Sequence, residues 1–206
     1  MMRFRFFSFM SGPVDLHRLA REGRANELDT ALNIGDISKS VSLSNATDKH
    51  RRTPLHLAAF FGHADCVNKL VEYKANVHAG AVDGFTPLHF AAQNGHLEVC
   101  RALLAAKANI DRATDRGVRT ALHLAAFKGK TDVMEYLIRR KANTEKRNSE
   151  VKTALDLVRD EVEREKLMGV ISQVEERKNL KRKQSDGDST APAESKVHKL
   201  EPHSEE

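Results

Sequence analysis

Imidazoles and thiols are the groups in this sequence best able to do chemistry, and their spacing decides whether they do. His56, His89 and His123 recur at intervals of 33 and 34 residues, His63 and His96 follow the first two by seven, and Cys66 and Cys100 come shortly after. Clustered, such side chains could ligate a transition metal or pair a thiolate with an imidazole base. Spread one per period, without a CxxC or HExxH spacing, they form no ligand set, and two cysteines cannot build a disulfide framework. The sequence also lacks a P-loop, a GxSxG elbow, a dinucleotide fingerprint and an evident carboxylate pair. No catalytic residue, metal or cofactor is assigned, and the chain is not read as an enzyme. The histidines are expected to hydrogen-bond within and between structural units. The cysteines are expected to fill the core as small hydrophobes in a reducing compartment.

What recurs around the histidines is a phrase. TPLHLAA at Thr53–Ala59 returns as TPLHFAA at Thr86–Ala92 and TALHLAA at Thr120–Ala126, with a weaker TALDLV from Thr153. Threonine at each start can cap a helix, and Pro54 and Pro87 suit the first helical position, where a missing N–H costs nothing. Gly62, Gly95 and Gly129 stand nine residues after their threonines, where a short helix must stop and the chain turn back. Second helices follow by period: Val67, Leu70 and Val71 match Cys100, Leu103 and Leu104, then Met134, Leu137 and Ile138. The alanine pairs of the phrase let neighbouring helices approach closely.

A period of about 33 residues carrying this phrase resembles the ankyrin repeat, and the resemblance covers roughly residues 14 to 174. It implies an all-α ankyrin-repeat solenoid of about five helix-turn-helix units with β-turn fingers, two of the units being atypical end caps. The expected organisation is a leader over 1–13, disordered or an alternative-start extension, and a degenerate N-terminal capping repeat plus long loop over 14–47. Ankyrin repeats follow at 48–81, 82–114 and 115–147, then a C-terminal capping repeat at 148–177 and a disordered charged tail at 178–206. Leu16-His17, Ala20 and Gly23 carry the first, degenerate copy, after which NIGDISKSVSLSNAT reads as an extended serine-rich loop. In the last copy Asp156 takes the histidine slot and Val162 the stop-glycine slot, and its charge suits a face that meets water. Lys74, Lys107 and Lys141 replace the glycine common in the family before Asn76, Asn109 and Asn143, which are expected to shape the turn into each finger.

Composition sets further bounds. A chain of 206 residues, 40% hydrophobic but only 5% aromatic and without tryptophan, suits a stack that buries Leu, Ala and Val on its neighbours. No apolar run approaches the ~20 residues needed to span a bilayer. The leader carries Arg3, Arg5 and four phenylalanines with no acid before Asp15; this allows a mitochondrial presequence but not a secretory signal, and Met10 offers another start. KNLKRK, with Lys178, Lys181, Arg182 and Lys183, resembles a short nuclear import signal, or ends the last helix with charges that suit its dipole. The chain is expected inside the cell, in cytoplasm or nucleus.

The resemblance places partner-facing slots just before the phrase and just after its alanines. These hold Lys49, His50, Arg52, Phe60 and Phe61 in the first full repeat, and Val82, Asp83, Phe85, Gln93 and Asn94 in the second. In the third they hold Arg116, Arg119, Phe127 and Lys128. Arginines and aromatics concentrate there although the chain is aromatic-poor, and such residues anchor protein interfaces. The phenylalanines could instead pack beneath the fingers. The expected function is a non-enzymatic adaptor, monomeric alone, that binds an acidic or acidic-hydrophobic protein segment on its concave face. The alternative is a nuclear cofactor touching nucleic acid through basic fingers and tail; 34 basic against 29 acidic residues argue for it only mildly.

Overall fold

In the computed structural model, which describes residues 15–187 and side chains through Leu180, ten helices and no strand form among the described residues. Proline opens α4 (Pro54–Phe61) and α6 (Pro87–Asn94), and Thr120 caps α8 (Ala121–Phe127). Each is followed by an antiparallel second helix: α5 (Ala64–Glu72), α7 (Leu97–Ala105) and α9 (Thr131–Arg139). The degenerate first copy gives α1 (Leu16–Glu22) and α2 (Ala25–Leu32). First helices pack in one layer, α1 on α4 on α6 on α8, and second helices in another, α2 on α5 on α7 on α9. The chain is thus all-α and solenoidal, as its period implies. Leu28, Leu70, Leu103, Leu137 and Leu167 run buried through the stack, each contributing roughly 1.5–3 kcal/mol by leaving water. Cys66 and Cys100 are buried among them, and burial pushes their thiols up to about 11 and 12.

Repeats are joined by a relay through the phrase. The backbone N–H of Thr53 donates to Nδ1 of His56 at 3.0 Å, so the ring's proton must sit on Nε2. That nitrogen donates to the carbonyl of Ala79 at 3.0 Å, near the end of its own unit, and to that of Phe85 at 3.1 Å in the next. Thr86 and His89 repeat the arrangement onto Arg112 at 2.9 Å, near the end of their own unit, and Thr120 and His123 onto Lys152 at 3.2 Å in the next. His17 begins the series with 3.0 Å to the carbonyl of Arg52. Asp156 ends it: its carboxylate accepts from the Thr153 N–H at 2.7 Å but has no donor to pass onward. Beside the relay, each finger bonds once to the next, from Val82 to His50, Asp115 to Asp83 and Ser149 to Gly117.

Glycine at the helix stop does two jobs. Gly62 has φ +84°, and a Cβ there would lie 2.6 Å from Nδ1 of His96, whose Nε2 bonds the carbonyl of Phe60 at 3.0 Å. Gly129 has φ +62° with open space around it. At the other end of each unit Lys74, Lys107 and Lys141 take φ of 61°, 65° and 68°, so lysine adopts the left-handed turn that glycine favours, at a strain cost. Asn76, Asn109 and Asn143 accept from the N–H two residues on, as expected of turn formers.

Three expectations fail locally. The serine-rich loop contains a helix, α3 (Ile37–Ser44), capped by Asp36 and fastened by buried serines. Ser40 donates to the carbonyl of Leu32 at 2.6 Å and Ser44 to that of Tyr73 at 3.2 Å, tertiary bonds that hydropathy does not register. Thr153 opens only a 3₁₀ turn, Leu155–Leu157, not a helix. The capping repeat's second helix, α10 (Glu161–Gly187), takes in the first ten residues of the expected tail, which was to start at 178. Its Glu175-Glu176 before Arg and Lys suits both helix propensity and dipole. The leader over 1–13 and the sequence after Gly187 lie outside the described residues.

The relay fixes a pH response. Burial holds His56 and His89 down to about 4, against the raising effect of their hydrogen bonds to carbonyls, and His123 is lowered for the same reason. Above pH ~6.5 these rings are neutral folded or unfolded; below it the unfolded chain alone takes up protons until pH reaches the folded value. Denaturant melts should therefore lose stability between about pH 6.5 and 4, on the order of 3 kcal/mol for each of His56 and His89. A flat profile over that window would mean the imidazoles are not held neutral. The glycine stops generate a second test. Gly129→Ala should cost only its left-handed backbone, about 1–2 kcal/mol, whereas Gly62→Ala must also displace His96 and should lower the melting temperature further. Equal losses would show that His96 yields freely.

Candidate protein interface

Phe60 and Phe61 end α4 on its last turn, just before Gly62 turns the chain, so neither ring can follow the preceding alanines into the core. They are 40% and 44% exposed. Their rings meet edge-on at 5.0 Å between centroids, Phe60 meets Phe90 of α6 at 5.8 Å, and Phe90 stacks on Phe85 at 5.5 Å. Four phenylalanines from two repeats thus form one continuous run. Phe90 was not among the residues marked by the sequence. The signal was present: Phe90 stands where the other copies have Leu57 and Leu124, both buried, and its larger ring is left half-buried beside His56.

Polar neighbours hold the run in place. Asn94, marked as partner-facing, instead bridges the repeats, its amide donating at 3.1 Å to the carbonyls of both Phe60 and Phe90. Gln93 is half-buried in the same turn. Phe127 is 50% exposed one repeat away, with the Arg119 guanidinium 5.7 Å and the Lys128 ammonium 5.6 Å from its centroid. The chain's own cations therefore already occupy that ring. A cleft beside it, lined by Thr131, Met134, Val158 and Arg159, opens where the last unit lacks a full first helix.

The finger arginines are less available than their positions suggested. Arg52 is tied to Asp48 by Nε at 2.9 Å and by an Nη at 2.7 Å, while Oδ1 of Asp48 accepts the backbone N–H groups of His50 and Arg52. Burial raises the Asp48 carboxyl, but these bonds outweigh it and bring the group down to about 2. Arg52 is a brace of its own finger. Arg116 pairs with Asp83 at 3.1 Å although 85% of its side chain stays exposed, and Arg119 reaches Glu150 at 3.3 Å. Lys49, His50 and Arg51 are exposed, and Lys49, Arg51 and Lys128 have no carboxylate within 4 Å among the described residues. Lys178 is exposed on α10, far along the chain from this face; Lys181, Arg182 and Lys183 continue that helix.

Family comparisons cover most of the array. A model of ankyrin repeats in three copies matches residues 16–114, and a model of the single ankyrin repeat matches residues 119–149, together more than half of the chain. A search of curated proteins returned no match. Among the described residues no helix is long and apolar enough to cross a membrane.

Because Arg52 braces its finger, its loss should register as stability. Arg52→Ala leaves Asp48 half-buried without its partner and should lower the melting temperature by several degrees, as a loss of about 1 kcal/mol does in a domain of this size. Lys49→Ala, on the same finger, should leave it unchanged. Equal melting temperatures for the two variants would show that the Arg52–Asp48 pair contributes nothing.

Proposed function

The chain belongs to the ankyrin-repeat family, whose repeats generally act as protein–protein interaction modules, and from that premise we propose a non-enzymatic adaptor that seats a partner segment on the aromatic run. The observation carrying this reading is the contact of the exposed Phe60 and Phe61 with the half-buried Phe90 and Phe85 across two repeats in an aromatic-poor chain. Large contiguous apolar surface on a soluble domain marks binding, and aromatic anchors typically dominate its energy. The partner segment has apolar residues at its centre, for the rings, and acidic residues flanking them, for Lys49, Arg51 and Lys128. Charge on this surface acts on association and specificity, since rim cations steer an encounter more than they hold it. Arg52, Arg116 and Arg119 spend their charge on Asp48, Asp83 and Glu150, which supports protein over the phosphate backbone as the ligand of the fingers.

Substitution at Phe90 tests the reading without disturbing the fold. Phe90→Leu restores the residue found in the sister repeats, and Phe60→Ser alters a side chain already 40% exposed. Each variant should melt close to the parent yet bind a captured partner roughly thirtyfold more weakly, as loss of about 2 kcal/mol at an anchor implies. Lys49→Glu should chiefly slow association and flatten its salt dependence. Binding that survives both ring substitutions places the interface elsewhere.

A further inference from the structure

Where a first helix turns back at its glycine, a side chain of the following unit covers the turn. A Cβ on Gly23 would lie 2.6 Å from the His63 ring and one on Gly62 would lie 2.6 Å from that of His96, while Gly95 faces the aliphatic stem of Lys130 at 2.8 Å. The two imidazoles do the same work. Nε2 of His63 donates to the carbonyl of Arg21 at 2.9 Å and Nε2 of His96 to that of Phe60 at 3.0 Å, each time the carbonyl two residues before the glycine. A ring thus lies over the turn and satisfies a carbonyl left over at the helix end. His63, His96 and Lys130 each stand directly before the second helix of their unit.

The last boundary departs from this pattern for a reason visible in the spacing. His63 follows Thr53 by ten residues, as His96 follows Thr86 and Lys130 follows Thr120, but Asp160, directly before α10, follows Thr153 by only seven. About one helical turn is missing. No side chain of the last unit therefore comes within 4 Å of where a Cβ on Gly129 would stand, and the carbonyl of Phe127, two residues before that glycine, accepts no hydrogen bond among the described residues. A cleft of about 390 Å³ opens there, within the range of ligand sites. Buried Met134 and Val158 line it together with the exposed Phe127. The acids beside it are turned to other work: Asp160 accepts the N–H of Glu163 at 3.1 Å, and Glu163 accepts from the Thr131 hydroxyl at 3.3 Å.

We propose that this cleft is a binding site for a histidine side chain of a partner protein, with the ring over Gly129 and its Nε2–H donating to the carbonyl of Phe127. The array itself identifies the occupant, because the equivalent turns at Gly23 and Gly62 are covered by imidazole and the cleft continues that repeat-to-repeat interface. A partner docked there completes the last boundary as an internal unit would. Charge around the cleft is close to balance, with Arg119, Lys128 and Arg159 against Asp160 and Glu163, and this favours a neutral ring over an ammonium or a carboxylate. The site is separate from the run of Phe60, Phe61, Phe85 and Phe90. Either can fail without the other.

Amide NMR spectra of the full chain test the site with N-acetylhistidine methylamide as the probe, at about pH 8, where its imidazole is neutral. The amides of Lys128 and Gly129 should shift saturably, with a Kd of order millimolar as suits so small a ligand. The same probe methylated on Nε2 keeps the ring but has no proton for the Phe127 carbonyl, and should bind at least about fivefold more weakly, the loss of one hydrogen bond. Gly129→Ala places a methyl group where the ring would lie and should weaken binding by at least a similar factor, whereas Phe60→Ser should leave it unchanged. The comparison of the two probes on the parent chain stands whether or not Gly129→Ala folds fully. Equal affinity for the two probes, or the lack of a saturable shift at Gly129, would overturn the proposal. Shifts confined to Phe60 and Phe90 would also overturn it by placing the ring on the aromatic run, and tighter binding of N-acetyllysine methylamide would do so by assigning the cleft to an ammonium.

Discussion

Everything in this stack depends on how a buried imidazole satisfies both its nitrogens. In water a histidine can leave either nitrogen to solvent; inside a repeat it must find a donor for one and an acceptor for the other. Threonine three residues earlier supplies the donor from the same unit, and a carbonyl of the next unit supplies the acceptor. Where the acceptor lies across the boundary, as for His17, His56 and His123, a repeat is incomplete until its neighbour is in place. That requirement converts a local sequence phrase into a one-dimensional array with nearest-neighbour coupling. It also explains why the last copy carries Asp156, which accepts from Thr153 and asks nothing of a following unit.

Fingers inherit their positions from this relay, and some are held at a cost. Val118 and Val151 adopt φ of 50° and 62°, a conformation that opposes a β-branched side chain. They persist because the surrounding bonds leave little choice. Asn148 is buried, its Oδ1 accepts the N–H groups of Glu150 and Lys152, and Val151 itself donates to the carbonyl of Asn148. Asp48 performs the same office in the first finger, with Arg52 closing the pair. Charge that looked available for a partner is thus used to shape the fingers, and the surface left for recognition is more aromatic and less basic than a count of arginines suggests.

That balance gives the two ends of the array different characters. Toward its N-terminal half, the aromatic run joins α4 to α6 and is held by Asn94 across the repeat boundary. Toward the C-terminal end, Phe127 is flanked by its own cations, and α10 carries the exposed Arg177 and Lys178 beyond its buried residues.

The repeat order and the helices bearing the phrase were legible in the sequence because they arise from local chemistry at fixed spacing. Threonine and proline start α4 and α6, glycine stops them, and apolar residues three and four apart face inward in α5, α7 and α9. The sequence leaves open whether the phenylalanines after the alanines pack beneath the fingers or face outward, and Phe60, Phe61 and Phe127 are exposed. Tertiary structure alone decided matters that turn on a distant partner. α3 forms because Ser40 and Ser44 find carbonyls 8 and 29 residues away, which no local pattern of a serine-rich stretch reveals. Arg52 is tied to Asp48 within its own finger, Arg116 pairs with Asp83 while staying exposed, and Asn94 bridges two repeats through the carbonyls of Phe60 and Phe90. Phe90 joins the run because its ring, half-buried where Leu57 and Leu124 are buried, meets Phe60 and Phe85. A sequence states which groups exist and how often they recur; whether a polar group is spent inside the protein or left for a partner is fixed only when the repeats meet.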